Sequence, residues 1–590
     1  MCGIFGSFTN NRIEINKNIL AHRGPDDWGV DYFNYNNKWL TLFQSRLSII
    51  GLGSQGHQPF KKNENYSLCY NGEIYNFKKL KKKIQKLKNI KFITETDTEL
   101  LYEYLICFGI KKTLKDIDGI FAFSFYNHNN GKIYLVRDHL GVKPLYYFDS
   151  GKKLYFSSEA KVFFEMNLVK PQINKNLLGE YFANGWIYEP DTLFEGIKKV
   201  QAGHFLEVNC NNGLVINNKY WDVSNNSDLK SPKLEEIIDD QTLADVSVGV
   251  YFSGGIDSSI IAYQLKEKNL IYLNLNLDDT ESERVKDFER LYGIKVNKIK
   301  YEKDNLELYN KLVYSMDEPI ADPAIIPAYL LAKAARNLGC TVMLSGMGGD
   351  EIDAGYTRHK ILINPFLYRI LSYIPFLSVF KGKLGRDIDR LKNFFSSPQP
   401  SNYYSLTSYF SRNEINELVG KNWLFSYKNK IDNMVKGLDD ILKFFYLDFK
   451  GFLASHNLIY MDKASMSASI EVRVPFMQKN LVNHYFNDIV GHNKREQKHR
   501  LKSILRKQMK NNYKEIQKQG FRYPIEDWIK NDINWPEIIQ FFDKNNILNT
   551  KLVNKWVNIS RHDTKSVSMK LWGVYTLYQW IKSYSFKWDD

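Results

Sequence analysis

The feature that most constrains this chain is a cysteine directly behind the initiator methionine, in the opening run Met1–Gly6. If Met1 is removed, Cys2 carries both a thiol and the free α-amine. A thiol attacks a carbonyl only once it is deprotonated, and its unperturbed pKa is about 8.5. An α-amine titrates at about 7.7–8.0, so it can accept that proton near neutral pH. The placement predicts a nucleophile and its base on one residue, and a small buried cysteine at an N-terminus is the alternative.

Six short segments follow Cys2 in this order: His22–Asp27, Ser45–Ile49, Tyr70–Asn76, Glu95–Glu99, Asp118–Phe123 and Arg137–Tyr146. As an ordered set they resemble the glutaminase domain of class II glutamine amidotransferases. The resemblance implies that the Cys2 thiolate hydrolyses the side-chain amide of glutamine. It also implies an α+β fold for this half, an αββα sandwich of the N-terminal-nucleophile type.

The same resemblance implies roles for five further residues. The side-chain amide of Asn71 and the backbone N–H of Gly72 would form an oxyanion hole, facing the oxygen where negative charge develops. Arg46 would clamp the α-carboxylate of glutamine through its planar fork of donors. Asp97 and the region of Glu73 would hold the α-ammonium. A surface ion pair is the alternative reading of Arg46 and Asp97.

A second pattern begins with Val248–Phe252, a short apolar run that predicts a buried strand. It leads into a loop of small residues, and the run Ile260–Leu265 then predicts a helix. Such a loop at a helix start favours phosphate, through its N–H groups and through the helix dipole. The pattern resembles the pyrophosphate loop of N-type ATP pyrophosphatases, and a plain Gly-Gly turn is the alternative. The residues it implies for ATP are Ser253, Gly254, Gly255, Asp257, Ser258 and Ser259.

A third pattern, Val342–Glu351, again runs from an apolar strand into a glycine-rich loop. Together with Met461–Ser467 and Glu471–Phe476 it resembles the synthetase domain of the asparagine synthetase family. The resemblance extends from Cys2 to about Phe476, and only loosely into the tail.

This resemblance places further residues around the nucleotide. Ser345 and Gly346 would lie beside it, and Asp257 and Asp350 would bind Mg²⁺ that bridges its phosphates. Lys463 would contact phosphate and an acyl-adenylate, although a solvated surface lysine is the alternative.

Together the patterns imply one reaction with glutamine, ATP and a carboxylate acceptor as substrates. Transfer of AMP from ATP to the carboxylate makes an acyl-adenylate and releases pyrophosphate. Ammonia from glutamine then attacks the acyl carbon, which gives an amide and AMP. Because free ammonia is mostly protonated near neutral pH, the family is expected to deliver it through a channel from Cys2.

The third pattern departs from the family at two positions. Asparagine synthetases normally read Ser-Gly-Glu-Gly-Ser-Asp-Glu here, whereas this chain has Met347 and Gly349. The missing glutamate would take a proton from attacking ammonia, and methionine offers an apolar contact and no base. Met347 and Glu351 are therefore the candidate acceptor pocket. Two acceptors stay open: aspartate, with Met347 as a packing variant, and a uronic-acid sugar of bacterial surface polysaccharide, which we favour.

Composition limits the compartment and the kinds of partner that we expect for this chain. Five cysteines lack a metal-type spacing and favour a reducing compartment over a disulfide scaffold. No signal segment opens the chain, and no apolar run approaches the ~20 residues of a membrane span, so we expect a cytoplasmic protein with loose membrane association left open. The net charge of +15 raises the question of nucleic acid. The lysine clusters at 78–91 and 494–518 lack interleaved aromatics, so we interpret them as solvated faces and expect no nucleic-acid partner.

The expected domains are a glutaminase at 1–210, a linker at 211–232 and a synthetase at 233–590. The second is expected to be an α/β domain with a parallel sheet, ligand loops at the strand ends and added helices beyond Tyr356. A homodimer through the N-terminal halves is a further expectation from the family. Two other functions remain as alternatives: a glutaminase with a decayed synthetase half, and an RNA-directed protein that uses the pyrophosphate loop.

Overall fold

The computed structural model describes residues 2–88, 90–223, 232–276, 283–301, 305–373, 383–396, 400–492, 496–514, 523–584 and 586. Its N-terminal half contains two antiparallel sheets, ordered β2-β3-β1-β8-β7-β9 and β11-β10-β6-β5-β4. The strands are β1 Gly3–Thr9, β2 Asp27–Tyr35, β3 Lys38–Arg46, β4 Tyr66–Ile74, β5 Gly119–Asn127, β6 Lys132–Arg137, β7 Tyr146–Asp149, β8 Leu154–Ser157, β9 Ile197–Lys199, β10 His204–Asn209 and β11 Val215–Lys219.

The two sheets pack face to face through apolar side chains that each contributes, among them Leu40 and Leu42 from one and Leu135 and Leu206 from the other. Helices α1 and α2, Phe77–Lys88 and Asp97–Asp116, cover the outer face of the five-stranded sheet. This is the predicted αββα sandwich, and the fold class is confirmed. Strand β1 is buried along its whole length because β3 and β8 flank it, which places Cys2 at the start of a central strand.

The C-terminal half contains one parallel sheet, ordered β14-β13-β12-β15-β16, as predicted. Its strands are β12 Val248–Tyr251, β13 Ile271–Asn276, β14 Val296–Lys300, β15 Val342–Leu344 and β16 Glu471–Arg473. The chain places β13 and β14 on one side of β12, and β15 and β16 on the other. The order in which the parallel strands are added therefore switches between β12 and β15. Ligands of open α/β sheets bind at such a switch point, beyond the carboxyl ends of the strands.

Helices surround this sheet, and several precede it. Beyond α2 they are α3 Lys161–Glu165, α4 Leu178–Asn184, α5 Leu234–Asp240, α6 Ile256–Gln264, α7 Glu283–Tyr292, α8 Leu306–Ser315, α9 Ile325–Asn337, α10 Gly349–Ile352, α11 Thr357–Ile363, α12 Pro365–Ser372, α13 Lys383–Ser396, α14 Arg412–Val419, α15 Trp423–Met434, α16 Leu442–Leu447, α17 Leu458–Met466, α18 Lys479–Phe486, α19 Ile489–His492, α20 His499–Met509, α21 Ile525–Asp527, α22 Trp535–Lys544, α23 Thr550–Ser560 and α24 Thr564–Ser583. Two segments, Asp448–Asn457 and Trp528–Asp532, are π-helical. No helix within the described ranges is long and apolar enough to cross a membrane.

The two halves share one hydrophobic core, which includes Phe5 and Phe43 of the six-stranded sheet as well as the synthetase strands. Buried charges also join them: the Arg23 guanidinium donates to Asp462 at 2.8 Å and to Glu159 at 3.1 Å. Part of the predicted linker belongs to the first half, because β11 pairs with β10. Residues 224–231 of that linker lie outside the described residues.

Candidate active site

The candidate nucleophile is buried where β1 begins. The Cys2 backbone nitrogen donates to Asn71 Oδ1 at 2.9 Å, which ties the start of β1 to strand β4. Burial raises the pKa of the Cys2 thiol, while the N-terminal charge, the backbone N–H of Leu47 and the Arg46 guanidinium act in the opposite direction. Met1, whose removal would free the α-amine of Cys2, lies outside the described residues.

Strand β4 carries both candidate oxyanion donors, and one of them, Asn71, contacts Cys2. Asn71 Nδ2 is buried and has no hydrogen-bond partner among the residues the structure describes. An unpaired buried amide is costly, so a donor left open here fits an oxygen that arrives with the substrate. At Gly72 a Cβ atom would lie 2.2 Å from the carbonyl oxygen of Ile120 on β5, so only glycine fits the approach of the two strands.

Three buried carboxylates, Glu73, Asp97 and Glu471, lie near one another, and two of them pair with the Arg473 guanidinium. Arg473 pairs with Glu73 at 3.2 Å and with Glu471 at 2.6 Å. Burial raises the pKa of Glu73 well above its usual range, and the charge of Asp97 adds to the rise. Because the carboxylates outnumber the guanidinium, the pocket favours an added cation such as the α-ammonium of an amino acid.

The start of helix α2 fixes Asp97. Thr96 caps the helix by accepting from Glu99 N at 3.3 Å, so Asp97 is the first helical residue, a favourable place for a carboxylate. Its Oδ2 accepts from Tyr70 Oη at 2.8 Å and from the backbone N–H of Ile74 at 3.1 Å. Burial raises the pKa of Asp97 to about 6, although these hydrogen bonds lower it.

The Arg46 guanidinium lies at the end of β3 and holds the loop that follows. Its terminal nitrogens donate to the carbonyl oxygens of Gly51 and Gly53, both at 2.6 Å, and of Ile50 at 3.2 Å. A Cβ atom at Gly56 would lie 2.1 Å from Arg46 Nη2, so this loop is built closely around the charge. The arrangement orients a cation beside Cys2, where an α-carboxylate would need it.

The second candidate site lies at the switch point of the parallel sheet. The loop after β12 carries Gly254 with a φ of 74° and ends at α6, whose first turn holds Asp257, Ser258 and Ser259. Ser253 Oγ and Ser258 Oγ lie 3.0 Å apart across this loop. Backbone N–H groups at a helix start in a glycine-rich loop fit phosphate oxygens.

The loop after β15 packs directly on the first loop. A Cβ atom at Gly346 would lie 2.8 Å from the Ser258 nitrogen, and one at Gly349 would lie 2.5 Å from the Asp257 carboxylate. These glycines bring Asp350, on helix α10, close to Asp257. The Ser345 nitrogen donates to the carbonyl oxygen of Arg473 at 2.9 Å, which joins this loop to β16.

A lysine absent from the sequence-based site stands between the two aspartates. Lys498 Nζ lies 2.6 and 2.8 Å from the carboxylate oxygens of Asp257 and 2.8 Å from Asp350 Oδ1. The two carboxylates raise the pKa of this ammonium, although its burial acts the other way. Lys498 has a left-handed backbone with φ 54° just before α20, and Gly355 leaves room for its side chain. It belongs to the 494–518 cluster that we interpreted as a solvated face.

Asp257 and Asp350 fit the oxygen ligands that Mg²⁺ prefers. Their carboxylates converge on one point, which in this structure is held by the positive charge of Lys498. A cation is therefore favoured where the two side chains meet. Among the described residues no group of three His, Cys, Asp or Glu side chains is arranged to hold a metal ion, so a magnesium ion here would take its other ligands from phosphate oxygens and water.

The structure does not bring Lys463 to this site. Its Nζ pairs with Asp317, and both side chains are fully buried. It also lies 4.6 Å from the ring centre of Tyr146, at the junction of the two halves, and burial lowers the pKa of its ammonium. The backbone nitrogens of Ala160 and Lys161 donate to the same Asp317 carboxylate, so Lys463 helps join the halves.

The two candidate acceptor residues, Met347 and Glu351, differ in their surroundings. Met347 is half-buried and packs against the hydrophobic core. Glu351 is fully buried and accepts from Tyr356 Oη at 2.8 Å and from Asn457 Nδ2 at 3.2 Å. Burial, with the charge of Asp350, raises the pKa of Glu351 to about 7. Asn457 ends a π-helical segment, a type of helix often found at functional sites.

Comparison with known proteins agrees with this arrangement. Residues 1–221 match the family model of the glutamine amidotransferase domain, and residues 231–582 match that of asparagine synthase. The chain belongs to the asparagine synthase family. It is a glutamine-hydrolysing amidotransferase of the asparagine synthetase type with an ATP-dependent domain, as predicted.

Two curated relatives match this family member over nearly their full length. Asparagine synthetase [glutamine-hydrolyzing] 1 of Bacillus subtilis is 28% identical over 98% of this chain and 96% of its own. A putative asparagine synthetase of Methanocaldococcus jannaschii is 29% identical over 81% of this chain and 100% of its own. A solved structure of the allosteric regulatory enzyme of purine biosynthesis is 17% identical over 50% of this chain and 64% of its own, and its TM-score of 0.29 is too low to support an argument.

Proposed function

We propose that Cys2 releases ammonia from glutamine and that the loops after β12 and β15 use ATP to activate a carboxylate for that ammonia. The observation that carries the proposal is the pairing of two complete sites in one chain. One has a thiol beside an unpaired amide donor and an anionic pocket, and the other has two aspartates and a lysine at a sheet switch point.

In the first site each group has one task. The Cys2 thiolate attacks the carboxamide carbon of glutamine, and the α-amine freed by removal of Met1 takes the thiol proton. Asn71 Nδ2 and the Gly72 N–H donate to the oxyanion. Ammonia leaves, a thioester forms on Cys2, and water releases glutamate from it.

Binding of glutamine follows from the charges around Cys2. The pocket of Glu73, Asp97 and Glu471 attracts the α-ammonium, because Arg473 neutralises only part of its charge. Arg46 holds the α-carboxylate. These contacts account for selection of a free amino acid over a peptide.

In the second site an acceptor carboxylate oxygen attacks the α-phosphorus of ATP, and pyrophosphate leaves. The loop N–H groups around Ser253–Ser259 bind the phosphates. Lys498 supplies a positive charge that stabilises the negative charge of the leaving pyrophosphate. Asp257 and Asp350 would hold Mg²⁺, which would neutralise part of the phosphate charge. Ammonia then attacks the acyl carbon, and AMP leaves as the amide forms.

For the acceptor we propose a uronic-acid sugar of surface polysaccharide. The support is Met347, which places an apolar side chain where asparagine synthetases normally carry a glutamate. Aspartate is the second candidate, favoured by curated relatives named asparagine synthetases that match 98% and 81% of this chain.

Acceptor-dependent pyrophosphate release distinguishes the two. Aspartate and a panel of nucleotide-linked uronic acids are supplied separately with magnesium ATP and glutamine. We expect release with a uronic acid, and a gain of aspartate use in Met347→Glu. Release with aspartate alone, with stoichiometric asparagine, would contradict the proposed acceptor while keeping the reaction.

A further inference from the structure

Helix α12, Pro365–Ser372, turns its apolar side outward. Phe366, Leu367 and Ile370 are 78%, 56% and 49% exposed, and Tyr373 just beyond the helix is 67% exposed. At about 100° per residue these four side chains fall within an arc of about 120°, so they form one continuous surface. We name this surface the α12 apolar face.

The opposite side of the helix holds Tyr368 and Leu371, which are half-buried, and Ser372, which is buried. A helix on the surface of a protein in water normally carries polar residues on its outward side, whereas α12 is apolar on both. Exposed apolar patches rimmed by polar residues mark interaction sites, so the α12 apolar face is expected to contact an apolar phase or partner.

The charges around this helix indicate whether the α12 apolar face contacts a membrane or another protein. Residues 357–396, which include α11, α12 and α13, contain four lysines, four arginines, two aspartates and no Glu, so the segment is basic. Arg358 is paired with the buried Asp448, and Arg369 is exposed beside the apolar face. A second copy of the chain would bring two such basic segments together, which is unfavourable, whereas an anionic lipid surface attracts them.

The residue types also suit a bilayer surface. Phe and Tyr beside Leu and Ile, with an arginine at the margin, are typical of helices that lie in the headgroup region with their apolar side in the acyl boundary. We propose that the α12 apolar face docks the enzyme on an anionic membrane surface. This goes beyond the proposed reaction, which does not require a membrane.

Vesicle flotation tests the docking directly. The full chain is mixed with vesicles of phosphatidylglycerol and phosphatidylcholine, or of phosphatidylcholine alone, at low and high salt. We expect flotation with the anionic vesicles, weaker binding at high salt, and at least about tenfold less bound protein for the triple variant Phe366→Ser, Leu367→Ser, Ile370→Ser.

Phe425→Ser is the matched control, since Phe425 on α15 is 75% exposed but lies outside the α12 apolar face. It should float as the unaltered chain does, and Arg369→Glu should bind anionic vesicles less. All variants should retain glutaminase activity in solution, which shows that they fold.

Absence of flotation with anionic vesicles would overturn the proposal, as would a triple variant that binds like the unaltered chain. A dimer in solution that the triple variant converts to monomers, without vesicle binding, would assign the face to a second copy instead.

Discussion

The glutamine site and the nucleotide site differ in how their buried polar groups are paired, although Ser259 Oγ of the nucleotide site is also buried without a hydrogen-bond partner among the described residues. In the glutamine site Asn71 Nδ2 and Glu73 Oε1 are buried and have no hydrogen-bond partner among the described residues. In the nucleotide site both aspartates are paired with Lys498. The first site is built to receive the polar groups of a substrate. The second site contains its own counter-charge, the Lys498 ammonium. This ammonium must move, or share the two aspartates with Mg²⁺, when magnesium ATP binds.

Loss of the nucleophile should have the largest effect and should separate the two sites. We expect Cys2→Ala to lower glutamine hydrolysis by about 10⁴-fold or more, since the neighbouring thiol, Cys69 on β4, is buried and burial raises its pKa well above the usual range. Amide formation with ammonium chloride should persist, as measured by pyrophosphate release. Cys107→Ala, a half-buried thiol on α2, is the control and should keep both activities. Loss of both activities in Cys2→Ala alone would show that the sites are not separable.

Lys498 and Lys463 offer a sharper comparison within the synthetase half. Lys498→Met should lower pyrophosphate release by about 10²–10³-fold, because a charge aimed at the phosphates is lost. Glutamine hydrolysis should remain. Lys502→Met is the control, as Lys502 pairs with Glu496 at 2.7 Å rather than with the aspartates.

Lys463→Met should act on stability instead. It leaves the fully buried Asp317 without its ammonium partner, and breaking a buried pair costs about 3–5 kcal/mol of unfolding free energy. Thermal unfolding should therefore occur at a lower temperature than in Lys498→Met. A stable Lys463→Met protein that has lost pyrophosphate release would restore the original assignment of Lys463 to the nucleotide.

The open donor of the glutamine site predicts a smaller effect on catalysis. Asn71→Ala should lower kcat for glutamine by about 10²–10³-fold, the usual loss of one oxyanion donor. Asn76→Ala is the control: its side chain holds backbone groups of Asp116 and Asp118, so it should lower stability more than kcat. An unchanged kcat in Asn71→Ala would mean that the unpaired Nδ2 does not face the oxyanion.

The pH dependence should show the smallest effect. The pKa of Asp97 is raised to about 6, and only its ionised form attracts an α-ammonium. As pH falls from 7 to 5, the ionised fraction of a group with this pKa drops to about a tenth, so KM for glutamine should rise by up to about tenfold. Asp97→Asn should show a high KM that varies less over this range, since Glu73, whose pKa burial also raises, remains. A KM independent of pH in the unaltered chain would remove Asp97 from the ammonium pocket.

Much of the fold and many site residues could be predicted because they belong to local patterns. The run Val248–Phe252 with its glycine loop became β12 and the start of α6, and the apolar start of Val342–Glu351 became β15. Likewise Asn71 and Gly72 follow each other on one strand, so their shared placement beside Cys2 is set by β4 alone.

Pairings between distant residues could not be predicted in this way. Lys498 is one lysine among many at 494–518, and only its left-handed backbone and the room at Gly355 direct it to Asp257. Arg473 joins Glu73 across 400 positions of sequence, and its carbonyl accepts from Ser345 in the nucleotide loop. The outward apolar side of α12 was equally hidden, because an eight-residue helix is too short to reveal which side is buried.

The central claim is that nitrogen from glutamine reaches a carboxylate activated by AMP. The most direct test supplies glutamine labelled with ¹⁵N at its amide, magnesium ATP and the acceptor panel, and measures label in the product amide with AMP and pyrophosphate. We predict one labelled amide, one AMP and one pyrophosphate per turnover. Amide formation with ADP and phosphate, or glutamine hydrolysis with no acceptor-dependent pyrophosphate, would contradict it.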